Sequence, residues 1–172
     1  MINSHCQPDT AAQQNQSSLQ TLSRTLRMSQ GQFSLILLRC NYSAMKEEIV
    51  RQLRDNSGIE IREIVLPTSV KTLYTTIETE IADSQPPALM VFGLESVSAI
   101  DRLLTSTNYV REEFRNNFPF PVVLWVTDKI LKKLIRLVTD IETWTTTVEF
   151  MLGPDELVTF WAKVPIAFFP TF

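Results

Sequence analysis

Hydrophobic and polar residues follow two different rhythms along the chain after Gly31. Short runs that are almost wholly apolar, such as FSLILL and VVLWV, are typical of strands that are buried on both faces of a sheet. Between these runs lie longer stretches with an apolar residue every three or four positions, which is the spacing of one helix face. The alternation predicts an α/β domain over residues 31–153, with a five-stranded, mainly parallel sheet between two layers of helices.

The composition of each run predicts its place in the sheet. The runs FSLILL, ALMVF and VVLWV carry no charge, so we expect them at the centre, whereas IEIREIV alternates apolar and charged residues and is expected at an edge. One helical stretch, SVSAIDRLLTSTNYVREEFRNNF, is long for a single helix, and its TSTN segment is expected to kink or divide it.

Both ends of the chain differ from this pattern. Residues 1–16 are rich in Gln, Ser and Asn and are expected to be disordered. Residues 17–30 carry an apolar stripe of Leu19, Leu22 and Leu26, which predicts a short amphipathic helix. Residues 154–172 are interpreted as a short helix followed by an apolar tail that packs back over the sheet or buries against a partner.

Charge and composition exclude several classes of protein. The chain has 172 residues and a net charge of −3, so it lacks the basic footprint of a protein that binds nucleic acid or an anionic membrane. Its longest apolar runs are too short to cross a bilayer. Cys6 and Cys40 form no disulfide framework and the leader has no signal-peptide pattern, so a cytoplasmic location is expected.

Polar residues follow three of the predicted strands, at the edge where open parallel sheets bind ligands. They are Asn41 and Ser43 after the first strand, Glu95 and Ser96 after the third, and Thr127 and Asp128 after the fourth. Together they form a candidate cofactor-binding crevice, whose carboxylates, amide and hydroxyls are groups that bind a metal ion or activate water. The simpler interpretation is that Ser43, Ser96 and Asp128 cap helices, a role that needs no ligand.

The usual catalytic and nucleotide-binding patterns are missing from the sequence. The turn RCNYSA after the first strand has no glycine and no Lys-Ser or Lys-Thr pair, so it does not match a phosphate-binding loop. The single histidine, His5, lies in the leader, and Cys40 has no evident partner base, which favours a buried structural cysteine. No cofactor or metal is therefore expected.

Four cations fall on one side of the helix predicted over KILKKLIRL. Lys129, Lys132, Lys133 and Arg136 make this side basic, and it is interpreted either as a solvated face or as a docking patch for an acidic partner.

Three stretches together resemble a known family: SRTLRMSQGQFSLILLRCNYSAMKEEIVRQL, ALMVFGLESV, and the segment from LLTSTN to LWVTD. They are similar to the N-terminal NTPase-like domain of bacterial, notably cyanobacterial, proteins that continue into tetratricopeptide repeats. That domain is a divergent relative of the AAA-type and signal-transduction P-loop NTPases. The resemblance spans about residues 22–152 and implies the strand order 5-1-4-3-2.

The resemblance also implies roles for individual residues. Glu95 would stand where the Walker B strand ends in a carboxylate, and Thr127 or Asp128 would stand at the sensor position. The sequence departs from the family at RCNYSA, which replaces the phosphate loop, and it stops where relatives continue into repeats, as a stand-alone or a truncated version would.

Three hypotheses follow. The favoured one is a non-catalytic signalling or scaffold domain that binds a protein partner, or a second copy, through the apolar tail or the basic helix 129–136. The second is a regulatory switch that binds ATP or GTP with magnesium through Glu95, Asp128 and Arg111. The third is an enzyme of another class that uses the strand-end carboxylates.

Overall fold

The computed structural model describes residues 9–152, and all structural statements below concern that part of the chain. The helices are α1 Asp9–Met28, α2 Lys46–Ser57, α3 Leu73–Glu80, α4 Ile100–Tyr109, α5 Arg111–Asn117 and α6 Asp128–Leu137. The strands are β1 Ser34–Arg39, β2 Ile61–Val65, β3 Ala88–Phe92, β4 Pro121–Val126 and β5 Thr145–Glu149. Short 3-10 turns lie at Ser43–Met45, Leu94–Ser96 and Ile141–Thr143.

The five strands form one parallel sheet in the order β2-β3-β4-β1-β5. This is the predicted order, and it places the three most apolar strands at the centre. The charged strand β2 lies at one edge, as its alternating pattern predicted, and β5 lies at the other. Because all strands are parallel, their carboxyl ends meet along one edge, hereafter the carboxyl edge.

Each face of the sheet is covered by its own group of helices. Leu19, Leu22 and Leu26 of α1 pack with α2 against one face, over side chains such as Ile36 and Trp125. Helices α3 to α6 cover the opposite face, over side chains such as Leu37 and Leu124. The three-layer α/β architecture predicted from the sequence is thus confirmed.

The predicted boundary of the first helix is wrong. Helix α1 begins at Asp9, so residues 9–16, expected to be disordered, are helical as far as they are described. The Ala and Gln residues of this segment are compatible with a helix, and the segment gains a tertiary anchor. Asn15 Nδ2 donates to the Met151 carbonyl at 2.5 Å, and Asn15 Oδ1 accepts from the Met151 amide at 2.7 Å.

The long helical stretch after β3 is divided, as predicted, but the break lies at Val110 and not within TSTN. Helix α4 continues through TSTN to Tyr109, Val110 leaves the helical conformation, and α5 begins at Arg111. The expectations for the leader residues 1–8 and for the tail 154–172 concern segments outside the described residues. No helix of the described part is long and apolar enough to span a membrane.

Candidate functional site

The end of β1 lies at the centre of the carboxyl edge and is hydrogen-bonded on both sides. The Cys40 amide donates to the Val126 carbonyl at 3.0 Å, and the Phe150 amide donates to the Arg39 carbonyl at 2.9 Å. The chain therefore continues the ladder to the last residue before the turn, and Asn41 is the first residue that leaves it. In a P-loop protein the phosphate loop would begin at this point.

Asn41 connects this turn to the start of α6. Its Oδ1 atom accepts a hydrogen bond of 2.8 Å from the backbone amide of Asp128. That amide is one of the unpaired donors at a helix N-terminus, which is the kind of group that binds anions in phosphate sites. In this protein it is already occupied by the Asn41 side chain.

Arg39 links the ends of three neighbouring strands. Its Nε atom donates to Asp128 Oδ1 at 2.5 Å, just beyond the end of β4, and its guanidinium lies 3.6 Å from Glu149 at the end of β5. All three side chains are about one-third exposed. The space beyond β4, β1 and β5 therefore contains one cation neutralised by two carboxylates.

The ionisation of this group follows from its contacts. The hydrogen bond from Arg39 holds the pKa of Asp128 below its usual value, and the same bond raises the pKa of Arg39. Arg39 and Asp128 are consequently both charged throughout the neutral range, and neither of these two residues is suited to exchange a proton with a substrate near pH 7.

The helix caps differ from the prediction. Thr127, not Asp128, caps α6, because its hydroxyl oxygen accepts from the Ile130 amide at 3.4 Å. Ser43 lies within a 3-10 turn that precedes α2, and Ser96 ends the turn that follows β3, so neither caps an α-helix. The sequence did not reveal the 3-10 turns, which move each helix start three or four residues further along the chain.

Glu95 lies apart from the hydrogen-bonded group. It is exposed in the turn Leu94–Ser96, next to Gly93, whose φ angle of +91° turns the chain away from β3. A Cβ at Gly93 would lie 3.1 Å from the Leu66 carbonyl oxygen, so the close approach of the β2 and β3 ends requires glycine. Of the six crevice residues, the structure brings together Asn41, Thr127 and Asp128. Ser43, Glu95 and Ser96 make no side-chain hydrogen bond among the described residues.

Arg111 is not part of the crevice. Helix α4 leads from the carboxyl edge back to the opposite edge, and Arg111 begins α5 there, where its guanidinium pairs with Asp140. The nucleotide-switch hypothesis that joins Arg111 to Glu95 and Asp128 is therefore wrong in this detail. The error arose because the sequence pattern did not show that α4 runs back to the opposite edge before α5 begins.

Lys46 is a candidate that the sequence interpretation missed. It is the first residue of α2, at the helix start where a P-loop protein keeps its lysine. Its Nζ atom lies 3.9 Å from the centroid of the Phe92 ring and 3.8 Å from Glu63 Oε1. The signal in the sequence was its position six residues after Cys40, although no serine or threonine follows it.

Cys40 is the one cysteine among the described residues; it forms no disulfide bond there and is only 1% exposed. Burial raises the pKa of its thiol, and its Sγ atom lies 3.6 Å from the Tyr42 carbonyl oxygen. These surroundings suit a packed structural thiol and disfavour the thiolate that a nucleophile needs.

The described residues contain no group of three or more His, Cys, Asp or Glu side chains arranged to hold a metal ion. A broad depression of about 470 Å³ lies away from the crevice, beside the ends of α3 and α5, where Tyr74, Glu78 and Asn117 contribute to its wall.

The comparisons with known proteins agree with the architecture. No protein-family model matches the chain, and no curated protein matches it. Among solved structures, the chain is similar to the Holliday junction branch migration motor RuvB of Thermotoga maritima, with a TM-score of 0.52 and 14% identity. That match covers 81% of this chain and 45% of RuvB. A point mutant of the same RuvB matches with a TM-score of 0.49 and 13% identity, covering 88% of this chain and 48% of the mutant.

At this identity the likeness concerns the fold. The chain has a P-loop NTPase-like α/β fold. It spans about half the length of the RuvB structures that it matches. In an open parallel sheet, ligands bind beyond the carboxyl ends of the strands, and the β1–α2 turn that begins at Asn41 lies there.

Proposed function

We propose that this protein is a non-catalytic protein-interaction domain, of the signalling or scaffold kind, built on a P-loop NTPase-like fold. The observation that carries the proposal is the hydrogen bond between Asn41 and the Asp128 amide. It commits the side chain of Asn41, in the β1–α2 turn where P-loop proteins keep the phosphate loop, to an amide at the start of α6, so that this turn is held as part of the scaffold.

Two further features support the proposal. The turn has no glycine, so its backbone does not have the freedom to approach a phosphate closely, and Arg39 is neutralised by Asp128 and Glu149. A triphosphate carries several negative charges, and the two carboxylates at the strand ends would repel it unless a cation intervened. A domain that does not bind or hydrolyse a nucleotide would act by binding other proteins through its surface.

The proposed contact surface is either the apolar segment 154–172, which lies outside the described residues, or the basic side of α6. The partner is another protein or a second copy of the chain, and a cytoplasmic location is part of the proposal. The resemblance to domains that precede tetratricopeptide repeats supports a scaffold role, because such repeats are themselves protein-binding modules.

One observation favours a nucleotide-binding switch as the second candidate. Lys46 places a cation in the first turn of α2, 31% exposed, beside the carboxyl edge. A nucleotide would have to draw its amine away from the Phe92 ring and Glu63, and magnesium would have to offset the carboxylates. The switch would therefore use Lys46 with Glu95 and Asp128, without Arg111.

Thermal unfolding with and without millimolar Mg-ATP or Mg-GTP distinguishes the two functions. A ligand present at about 100 times its dissociation constant adds roughly 2.7 kcal/mol to the free energy of unfolding. We expect no shift of the midpoint beyond that produced by magnesium chloride and sodium triphosphate controls.

The matched variants for this test are Lys46→Gln and Lys71→Gln, each compared with and without nucleotide. Lys71 is exposed in the loop before α3, and the Lys71→Gln substitution removes the same charge at a different position. A nucleotide-dependent upward shift that persists in Lys71→Gln and disappears in Lys46→Gln would establish the switch and refute the proposal.

A further inference from the structure

Helix α6 has a basic stripe, defined here as Lys129, Lys132, Lys133 and Arg136, at positions i, i+3, i+4 and i+7. This spacing places all four on one side of the helix. Only Lys133 has an ion-pair partner among the described residues: its Nζ atom lies 2.7 Å from Asp101 Oδ1 on α4. The other three cations are exposed and unpaired within the same residues, on a chain whose net charge is −3.

The outward side of α4 continues this surface. It has a shallow groove of about 350 Å³ lined by Asp101, Arg102, Thr105, Ser106 and Tyr109, and Tyr109 is 82% exposed. The Asp101–Lys133 ion pair holds α4 beside α6, so the groove and the stripe adjoin. Together they are called the α4–α6 surface.

The α4–α6 surface combines unpaired charge with exposed apolar area. Ile135 is 50% exposed next to the stripe, and Tyr109 presents most of its ring to solvent at the far end of the groove. Exposed aromatic and aliphatic side chains beside arginine and lysine are typical of protein-binding surfaces.

We propose that the α4–α6 surface binds an acidic peptide segment of a partner protein, with carboxylates on the stripe and an apolar side chain against Tyr109. This inference rests on the proposed function. An acidic peptide is favoured because its negative charges complement the positive charges of the stripe. The stripe extends over eight residues, about 10 Å of helix, which suits a short segment with two or three carboxylates.

A nucleic acid or an anionic membrane fits the surface less well. Asp128 borders the stripe near Lys132, and Asp101 lies beside Lys133 and Arg136. A phosphate backbone that extended beyond the three unpaired cations would meet these carboxylates, and the chain as a whole is acidic.

The test begins with a random 12-residue peptide library displayed on phage and selected on the full chain at low ionic strength. We expect the selected peptides to be enriched in Asp and Glu with at least one aromatic or large aliphatic residue. Selection of peptides without an acidic bias would overturn the proposal.

Affinities are then measured by fluorescence anisotropy with a selected peptide, its Gln/Asn counterpart and a dT20 oligonucleotide. In the double variant Lys132→Gln/Arg136→Gln, the loss of two charge contacts is expected to weaken peptide binding about ten-fold. Tyr109→Ser should weaken it separately, and the Gln/Asn peptide should bind the unaltered chain poorly.

The matched control is Arg24→Gln/Lys71→Gln, which removes one arginine and one lysine from exposed positions outside the surface. Equal loss in both double variants would show an effect of net charge alone and would contradict the proposal. So would tighter binding of dT20 than of the peptide with the same variant dependence. The nucleotide experiment above is independent of these results, so the proposed function and this inference can fail separately.

Discussion

The side-chain oxygen of Asn41 lies 2.8 Å from the backbone amide of Asp128 and joins the end of β1 to the start of α6. The two residues are 87 positions apart in the chain, so the bond forms only in the folded state. It makes the β1–α2 junction part of the scaffold.

Removal of this bond tests its structural role. In Asn41→Ala the Asp128 amide loses its partner, and we expect the free energy of unfolding to fall by about 1 kcal/mol. The midpoint of thermal unfolding should fall by about 2–4 °C for a chain of this size. Ser43→Ala is the control, because that hydroxyl makes no hydrogen bond with a described residue, and an equal loss in both variants would contradict the assignment.

The Arg39–Asp128 pair predicts a dependence of stability on pH. The folded pKa of Asp128 lies below its unfolded value, so the pair stabilises the protein above the unfolded value, near 3.8, and this contribution is lost as the pH falls through the folded pKa. Asp128→Asn should therefore lower the urea midpoint at pH 7, and the difference between the two proteins should shrink as the pH falls below 3.8. The measurement is urea unfolding of both proteins across this range, and a constant difference at all pH values would argue against the ion pair as its cause.

The two hydrogen bonds between Asn15 and Met151 predict that the first half of α1 contributes to stability. Asn15→Ala should lower the free energy of unfolding by about 1–2 kcal/mol, because two backbone groups of Met151 lose their partner. Gln14→Ala, at an exposed neighbouring position, should leave it unchanged or raise it slightly. Chemical denaturation measures both, and a neutral Asn15→Ala would show that the segment is dispensable.

Gly93 and Gly58 provide a matched pair with different surroundings. Both have positive φ angles, but a Cβ at Gly58 meets open space and one at Gly93 lies 3.1 Å from backbone oxygen of Leu66. We expect Gly58→Ala to cost about 1 kcal/mol and Gly93→Ala about 3 kcal/mol, because steric contact adds to the conformational strain. Equal losses of stability in the two variants would indicate that the end of β2 shifts to accommodate the added Cβ.

The strands, and which of them are central, were predictable from the sequence pattern, because uncharged runs such as PVVLWV are tolerated only in the middle of a covered sheet. The full strand order was implied by the family resemblance. The helix starts were less accessible. Ser43 and Ser96 are good caps by composition, yet the 3-10 turns place them before the helices. The first half of α1 was missed because its anchor, Met151, lies 136 residues from Asn15 and contributes nothing to local periodicity.

The residues of the candidate site were also only partly predictable from the sequence. Asn41, Thr127 and Asp128 were selected because parallel strands end at one edge, and the structure brings them together. Arg39 and Glu149 were not selected, since a charged residue at the end of an apolar run is an ordinary feature of strand sequences. Their meeting depends on β5 returning to the side of β1.

The two hydrogen bonds between Asn15 and Met151 also join the first helix of the described fold to the chain that follows its last strand. Since Asn15 holds Met151 directly, the middle of α1 and the chain just after β5 lie side by side although they are 136 positions apart in the sequence. The contact therefore acts as a non-covalent cross-link that closes the described fold.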